Sequence, residues 1–560
     1  MTLLIIAYSA RVLFFSSSFY FKGDTLFTEI TKRVEILDPV GAGRYGSERV
    51  IFDKRKENVD LLYARTRQPD GQIVPVTENA KNIVTPSILS GYPEYSDIKQ
   101  LVISFLDLNK GSVTEVRYIK KTLTKNHNIS KSISFASRIP VDKRVVRIKV
   151  PEEKELKYYI RGNIIHKKKG NIYTFEMDSI PAIPWEEDQP PLPCFVPTIF
   201  ISTLDWRNVA YEFRSILENG EEVTGKEIKN PLSWVRNNIE LIDVPDSIIG
   251  RDTRTIDEIV KSGRGTIYER AKVLYSLLKN DNKNPNVVLV FDKNTYNKNL
   301  PIEKISGILI KVNHLYMNVD DVKYSPRFLY DFSNEPAIEI TQDTLNFVIL
   351  PEDPKDFNAI KENINIDPVK KTFKAFVSYS GIYGAEGRDF YEENKDELKD
   401  KIQNTFRCLG EIKNFTFKNI DSLSLPLELK VEGKISPVFQ GKFTILNLCQ
   451  PGLSISGFYN YNVEQNRKTP LLISENSFLS FVYDINMKGM DVYVYPEKKE
   501  VADSLYKQKT SINKNKGEFI LRREITFHKG IIPADRTSPF KNFLKDWANP
   551  GQSIVILQKK

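Results

Sequence analysis

At 560 residues the chain is too long for one hydrophobic core, and length alone predicts roughly three or four domains. Hydrophobic content of 41% and aromatic content of 11% exclude a disordered chain. The formal charge of +9 comes from 81 basic against 72 acidic residues, and no dense basic stripe interleaved with aromatics marks a nucleic-acid interface.

The apolar run Leu3–Ala7 has no cationic region before it and is broken by Arg11. It reads neither as a signal peptide nor as a membrane span, so the first residues are expected to belong to the fold. Ala10–Phe15 and Ser18–Phe21 read as strands, with a Lys22-Gly23-Asp24 turn before the alternating stretch Thr25–Leu37. Gly41-Ala42-Gly43-Arg44-Tyr45-Gly46 fits GxGxxG, but a dinucleotide site needs a helix directly after it. Arg49–Phe52 reads as a strand, which predicts a glycine-rich hairpin loop instead. Gln68-Pro69-Asp70-Gly71 is a turn, and strands over Gln100–Phe105 and Ser112–Ile119 flank another at Asn109-Lys110-Gly111. This spacing predicts a β-sandwich. His166-Lys167-Lys168-Lys169-Gly170 is expected as a basic hairpin turn. Pro181–Pro197 is expected as a surface connection, with Trp185-Glu186-Glu187-Asp188 a solvated charge cluster.

Near residue 206 the period changes. Trp206–Leu217, Pro231–Ile242, Thr253–Val260 and Thr266–Leu278 have helical spacing, while Val287–Phe291, Ile305–Val312 and Ala337–Ile340 read as strands. Helices followed by an antiparallel sheet make an α+β domain. From about residue 345 strands return, including Lys442–Leu448, Asp491–Tyr495, Phe519–Phe527 and Ser553–Leu557. Asp389–Phe406 is the one expected helix there, and Lys507–Lys516 is expected as an exposed loop. Cys194, Cys408 and Cys449 form no CxxC pair or metal spacing and are expected as buried small hydrophobes rather than a disulfide framework.

An ordered series carries a family resemblance: Arg33–Phe52 with Tyr45-Gly46, Pro69-Asp70-Gly71, Val74-Pro75, Tyr95-Ser96-Asp97 before Gln100–Phe105, Gly111-Ser112-Val113, Glu115–Tyr118 and Ser202–Trp206. It resembles a bacterial domain of unknown function (family 3857) that commonly precedes a transglutaminase-like core, usually in exported proteins. The resemblance covers the first two hundred residues. Gly265–Ala271 is similar to the start of the core's nucleophile helix. There a cysteine at the helix amino end is activated by the dipole, a histidine on a following strand acts as base, and an aspartate orients it. Here the cysteine position falls on Ile267, the histidine position on Gly307 and the aspartate position near Ser325. Gly384–Arg388, Arg467–Leu471 and Met490–Pro496 fall where the resemblance expects a C-terminal β domain.

The resemblance thus implies a multi-domain, β-rich protein. It has an N-terminal β-sandwich over residues 1–205, a degenerate papain-like α+β core over 206–345 and a mainly β domain over 346–560. A branched alkyl side chain cannot attack a carbonyl, so the expectation is a non-catalytic binding or scaffold module at the bacterial cell envelope. Its partner would be a protein, peptide or envelope glycan. The alternative is an amide hydrolase or acyltransferase with an oxygen nucleophile, for which Thr266, Tyr268, His314 and Asp331 are the candidates. His127, His166 and His528 are isolated, no histidine pair has metal spacing, and nothing points to a cofactor.

Overall fold

The computed structural model describes residues 8–124, 127–218, 228–302, 304–320, 329–341, 344–354, 356–455, 461, 463–464, 466–515 and 517–560. The chain divides into two compact units. Met1–Trp185, Pro191–Asp320 and Glu335–Ile349 form the first; Glu186–Pro190, Asp321–Asn334 and Leu350–Lys560 form the second. The regions expected as first and second domains therefore share one unit, apart from Glu186–Pro190 and Asp321–Asn334, which fall in the other. Among the described residues no helix is long and apolar enough to cross a membrane.

The first unit begins with an eight-stranded sheet. Its order is Ile165–Lys169, Ile172–Ile180, Val141–Lys149, Ala10–Lys22, Thr25–Ile36, Val113–Leu123, Glu57–Arg67, Ile73–Pro75. Side chains alternate between faces. One face buries Val34, Val146, Ile148 and Phe175 against Ile199 and Ile201 of a three-stranded sheet. Further along, Ala64 and Val116 meet Ile103 of a second three-stranded sheet. The layering is that of a sandwich, as the strand spacing predicts. Charged pairs occupy other positions of the large sheet, such as Arg11 with Glu35 at 2.7 Å and Arg65 with Glu115 at 2.7 Å.

Two local expectations are corrected here. The GxGxxG stretch is no hairpin loop: Pro39–Tyr45 is a short helix, because Asp38 accepts from Gly41 N at 2.8 Å and Pro39 suits the first turn. A Cβ on Gly41 would come within 1.9 Å of the Ser9 carbonyl oxygen, so this contact requires glycine. His166–Lys169 belongs to the edge strand Ile165–Lys169, and the chain turns only at Gly170, with φ of 59°.

The rest of the unit is the expected α+β core. Helices α1 (Trp206–Glu218), α2 (Pro231–Asn238), α3 (Ile256–Ser262) and α4 (Ile267–Asn280) accompany five strands. These are β1 (Asn286–Val290), β2 (Gly307–Val312), β3 (Leu315–Asn318), β4 (Pro336–Ile340) and β5 (Leu345–Ile349), ordered β3-β2-β1-β4-β5 and antiparallel throughout. α2 stops at Asn238, short of the predicted Ile242, and Glu240–Leu241 pairs in parallel with Arg264–Gly265. Tyr268–Leu278 of α4 is buried on every side, polar residues included. The helix is therefore central to the core rather than a surface element.

The second unit also carries an eight-stranded sheet. Its order is Gly410–Lys418, Leu427–Ile435, Thr372–Tyr379, Ala359–Asp367, Ser477–Asn486, Glu518–Phe527, Tyr506–Asn515, Lys499–Ala502. Ile402, Phe406, Phe540, Phe543, Leu446 and Val555 share its core. The single helix predicted over Asp389–Phe406 is two, Ile382–Glu393 and Leu398–Phe406, and Thr537–Trp547 adds another. The stretch Lys507–Asn515, expected within a loop, belongs to the strand Tyr506–Asn515, while Lys516 lies outside the described residues. In that strand Tyr506 and Gln508 are buried and Lys507 pairs outward with Glu500, so lysine at alternate positions concealed a strand period. Cys408 and Cys449 are joined in a disulfide with Cα atoms 6.1 Å apart, which corrects their reading as inert hydrophobes. Glu186 is not solvated: it is 5% exposed and accepts from Lys468 N at 2.8 Å and Thr469 N at 2.7 Å.

Candidate functional site

The start of α4 is built from a reciprocal cap. Thr266 Oγ1 accepts from Glu269 N at 3.3 Å, and the Glu269 carboxylate accepts from Thr266 N at 3.1 Å. Glu269 is fully buried and also accepts from Arg254 Nε and Nη2, both at 2.8 Å, and from the Tyr95 hydroxyl at 3.3 Å. Gly263 closes α3 with φ of 65°, which lets Arg264–Gly265 turn into the cap. The Tyr268 hydroxyl donates to Asp246, and burial, then the Asp246 carboxylate, pushes the phenol well above its usual range. Burial likewise raises the Asp246 carboxyl, against the hydrogen bond from Tyr268. Ile267 is half-buried and packs on the apolar core of the unit.

The remaining predicted residues do not gather here. Gly307 is the buried first residue of β2, paired in the backbone with Val290. Ser325 lies outside the described residues. His314 is exposed in the turn between β2 and β3, beside Leu278 near the far end of α4. At 1.5 Å per residue, Ile267 to Leu278 spans about 16 Å. Thr266 and Tyr268 are therefore a helix length away from His314. Asp331 belongs to the second unit, where its main-chain oxygen accepts from Lys529 Nζ at 2.6 Å. Cys194 Sγ faces Asp292 Oδ2 at 3.8 Å, and burial, then Asp292, pushes its thiol up to about 11, the reverse of an activated nucleophile.

His314 instead borders an open groove of about 600 Å³. Its floor is Leu232, Leu278, Val312 and Met317, and its rim carries Lys229 and Lys283 with His314. The amino end of α2 opens on it, capped by Asn230 Oδ1 accepting from Ser233 N at 3.2 Å. The volume suits a ligand side chain or short segment. Neither lysine stands out in sequence, because residues 229 and 283 meet only through the fold.

The second unit holds a smaller pocket of about 280 Å³, walled by Glu187, Asp188, Tyr383, Tyr461 and Glu475. Glu475 accepts from the Tyr330 hydroxyl at 2.6 Å and the Tyr383 hydroxyl at 3.4 Å, and burial raises its carboxyl. Nearby, burial and then Glu475 push Glu386 up to about 7. Sequence reading named Glu187 and Asp188 only within a solvated charge cluster and missed Glu386 and Glu475, which lie about two hundred or more residues further along the chain. Among the described residues no group of three or more His, Cys, Asp or Glu is placed to hold a metal ion.

Residues 26–184 match the model of a family described as a domain of unknown function with a solved structure, DUF3857. Residues 447–557 match a second family so described, DUF3858. No curated protein matches the chain significantly. Among solved structures, a candidate protease from Parabacteroides distasonis aligns over 98% of this chain and 99% of its own, with TM-score 0.69 and 14% identity. At that identity the likeness is one of fold. Leukotriene A4 hydrolase from Saccharomyces cerevisiae aligns at 15% identity over 35% of this chain and 30% of that one. An M1 zinc metallopeptidase from Deinococcus radiodurans aligns at 11% identity over 42% and 57%. Both have TM-scores of 0.20, and no argument rests on them.

Proposed function

We propose that this chain is a non-catalytic, transglutaminase-like protein acting as a binding or scaffold module at the bacterial cell envelope. The observation that carries the reading is the state of the α4 amino end. Ile267 stands at the nucleophile position that the family resemblance implies, and the hydroxyls on either side are bound to Glu269 and Asp246. A catalytic oxygen needs a base within about 3 Å, whereas His314 is a helix length away. The protease label of the Parabacteroides distasonis protein does not transfer at 14% identity. The rival, an amide hydrolase with an oxygen nucleophile, would have to break the capping box or the Tyr268–Asp246 bond before reacting.

The envelope setting draws support from the Cys408–Cys449 disulfide, since such bonds persist in oxidising compartments. The test is turnover of fluorogenic peptide amides and amine-exchange substrates by the full chain between pH 5 and 9. The reading expects rates equal to buffer alone. Turnover that vanishes in His314→Ala would overturn it.

A further inference from the structure

We infer that the groove between α2 and β3 binds an extended peptide segment with acidic groups beside large apolar side chains, laid along the edge of β3. This rests on the reading of the chain as a non-catalytic binding module. Three features of the first unit converge on it. Among the described residues β3 is the end strand of its sheet, paired to β2 through Leu309–Asn318, Ile310–Met317, Lys311–Tyr316 and Val312–Leu315. Its other side therefore presents a backbone edge of the kind that captures a further strand. Arg236 Nη2 donates to the Asn318 carbonyl at 2.6 Å and closes that edge at one end, so the outward-facing main-chain groups left to pair are those of Tyr316.

The side chains beside the edge suit the same occupant. Leu315 and Met317 both line the groove, two residues apart on one strand face. A strand added beside β3 presents every second side chain to that face, over the floor made by Leu232 and Leu278. Large apolar side chains at alternate positions are thus what the floor takes.

Charge selects the rest of the ligand. Lys229, Lys283 and His314 stand on the rim, the positive end of the eight-residue α2 opens there, and no acidic residue lines the groove among the described residues. Lys283 also lies 3.5 Å from Asp281, which offsets part of its charge but not that of Lys229. An anion completes this rim. An acyl carboxylate would satisfy the charge, but an open groove would leave its chain wet on one side and the β3 edge unpaired. A peptide uses both.

The experiment titrates the full chain with a capped pentapeptide alternating glutamate and leucine, its lysine–leucine counterpart and dodecanoate, by calorimetry at low salt. Binding of the acidic peptide is expected, with protection of the Tyr316 amide from hydrogen exchange. In the double variant Lys229→Glu, Lys283→Glu that affinity should fall about tenfold and the lysine–leucine peptide should gain. Both lysines are exposed, so the variant is expected to fold, which its hydrogen-exchange map verifies. No binding of the acidic peptide by the native chain up to about 1 mM, binding indifferent to the double variant, or binding of dodecanoate in place of the peptide would each overturn the inference. Peptide cleavage is scored in the same mixtures. Cleavage would sink the non-catalytic reading whatever the groove binds, whereas absence of binding without cleavage sinks only the groove.

Discussion

Glu362 lies in the strand Ala359–Asp367 of the second unit, 1% exposed, amid Ile360, Tyr379 and Tyr483. Its Oε2 accepts one long hydrogen bond, 3.4 Å from Gly452 N, and its Oε1 has no partner among the described residues. Burial, against that single bond, raises the carboxyl from its ordinary 4.5 to about 8. The raised folded pKa fixes the sign. Below about pH 4.5 both states are protonated and stability is undiminished; as pH rises toward 8 only the unfolded chain ionises, and stability falls. The slope is about 1.4 kcal/mol per pH unit, so the full interval costs about 5 kcal/mol. Relaxation and water entry reduce this, and at least about 2 kcal/mol should remain. Glu362→Gln keeps the shape and the acceptor for Gly452 N while removing the charge of the unfolded state. Urea denaturation at pH 5 and pH 8, followed by hydrogen exchange over 359–367 and 477–486, should show the variant more stable than the native chain only at pH 8. Equal destabilisation at both pH values would mean that Glu362 is held as an anion, and the reasoning would fail.

Three further outcomes follow from the same geometry. Glu269→Gln leaves Arg254 without its carboxylate in the core and should cost about 3 kcal/mol in urea denaturation of the first unit. Replacing Cys408 and Cys449 by serine opens a covalent loop with a sequence separation of 41, which should lower the stability of the second unit by about 4 kcal/mol. Cys194, its thiol pushed to about 11, should react with iodoacetamide at pH 8 about a hundredfold more slowly than a free thiol. Asp292→Asn should recover part of that rate, as followed by intact mass.

The periodic elements were legible because each rests on local chemistry. Thr25–Ile36 alternates on one sheet face, α4 starts at Thr266 with Glu269 three residues on, and Gly71 turns with φ of 91°. What escaped depends on distant partners. Glu186 looks solvated until Lys468 and Thr469 arrive from 282 and 283 residues away. The Cys408–Cys449 bond has no spacing signature, and the lysines of Tyr506–Asn515 masked a strand whose buried residues are Tyr506 and Gln508. At the site, residues 266–269 could be placed on a helix start, but the position of His314 follows from the length of α4 and the β2–β3 turn. No motif encodes that separation.

The central claim is the absence of a working nucleophile in the first unit. The most direct measurement is intact-mass spectrometry of the full chain after incubation with activated peptide esters near neutral pH, with peptide mapping of any adduct. The account predicts no stoichiometric acyl adduct on Thr266 or Tyr268, in the native chain or in Asp246→Asn. A stable or turning-over adduct at Thr266, lost in His314→Ala, would contradict it and make the chain an enzyme.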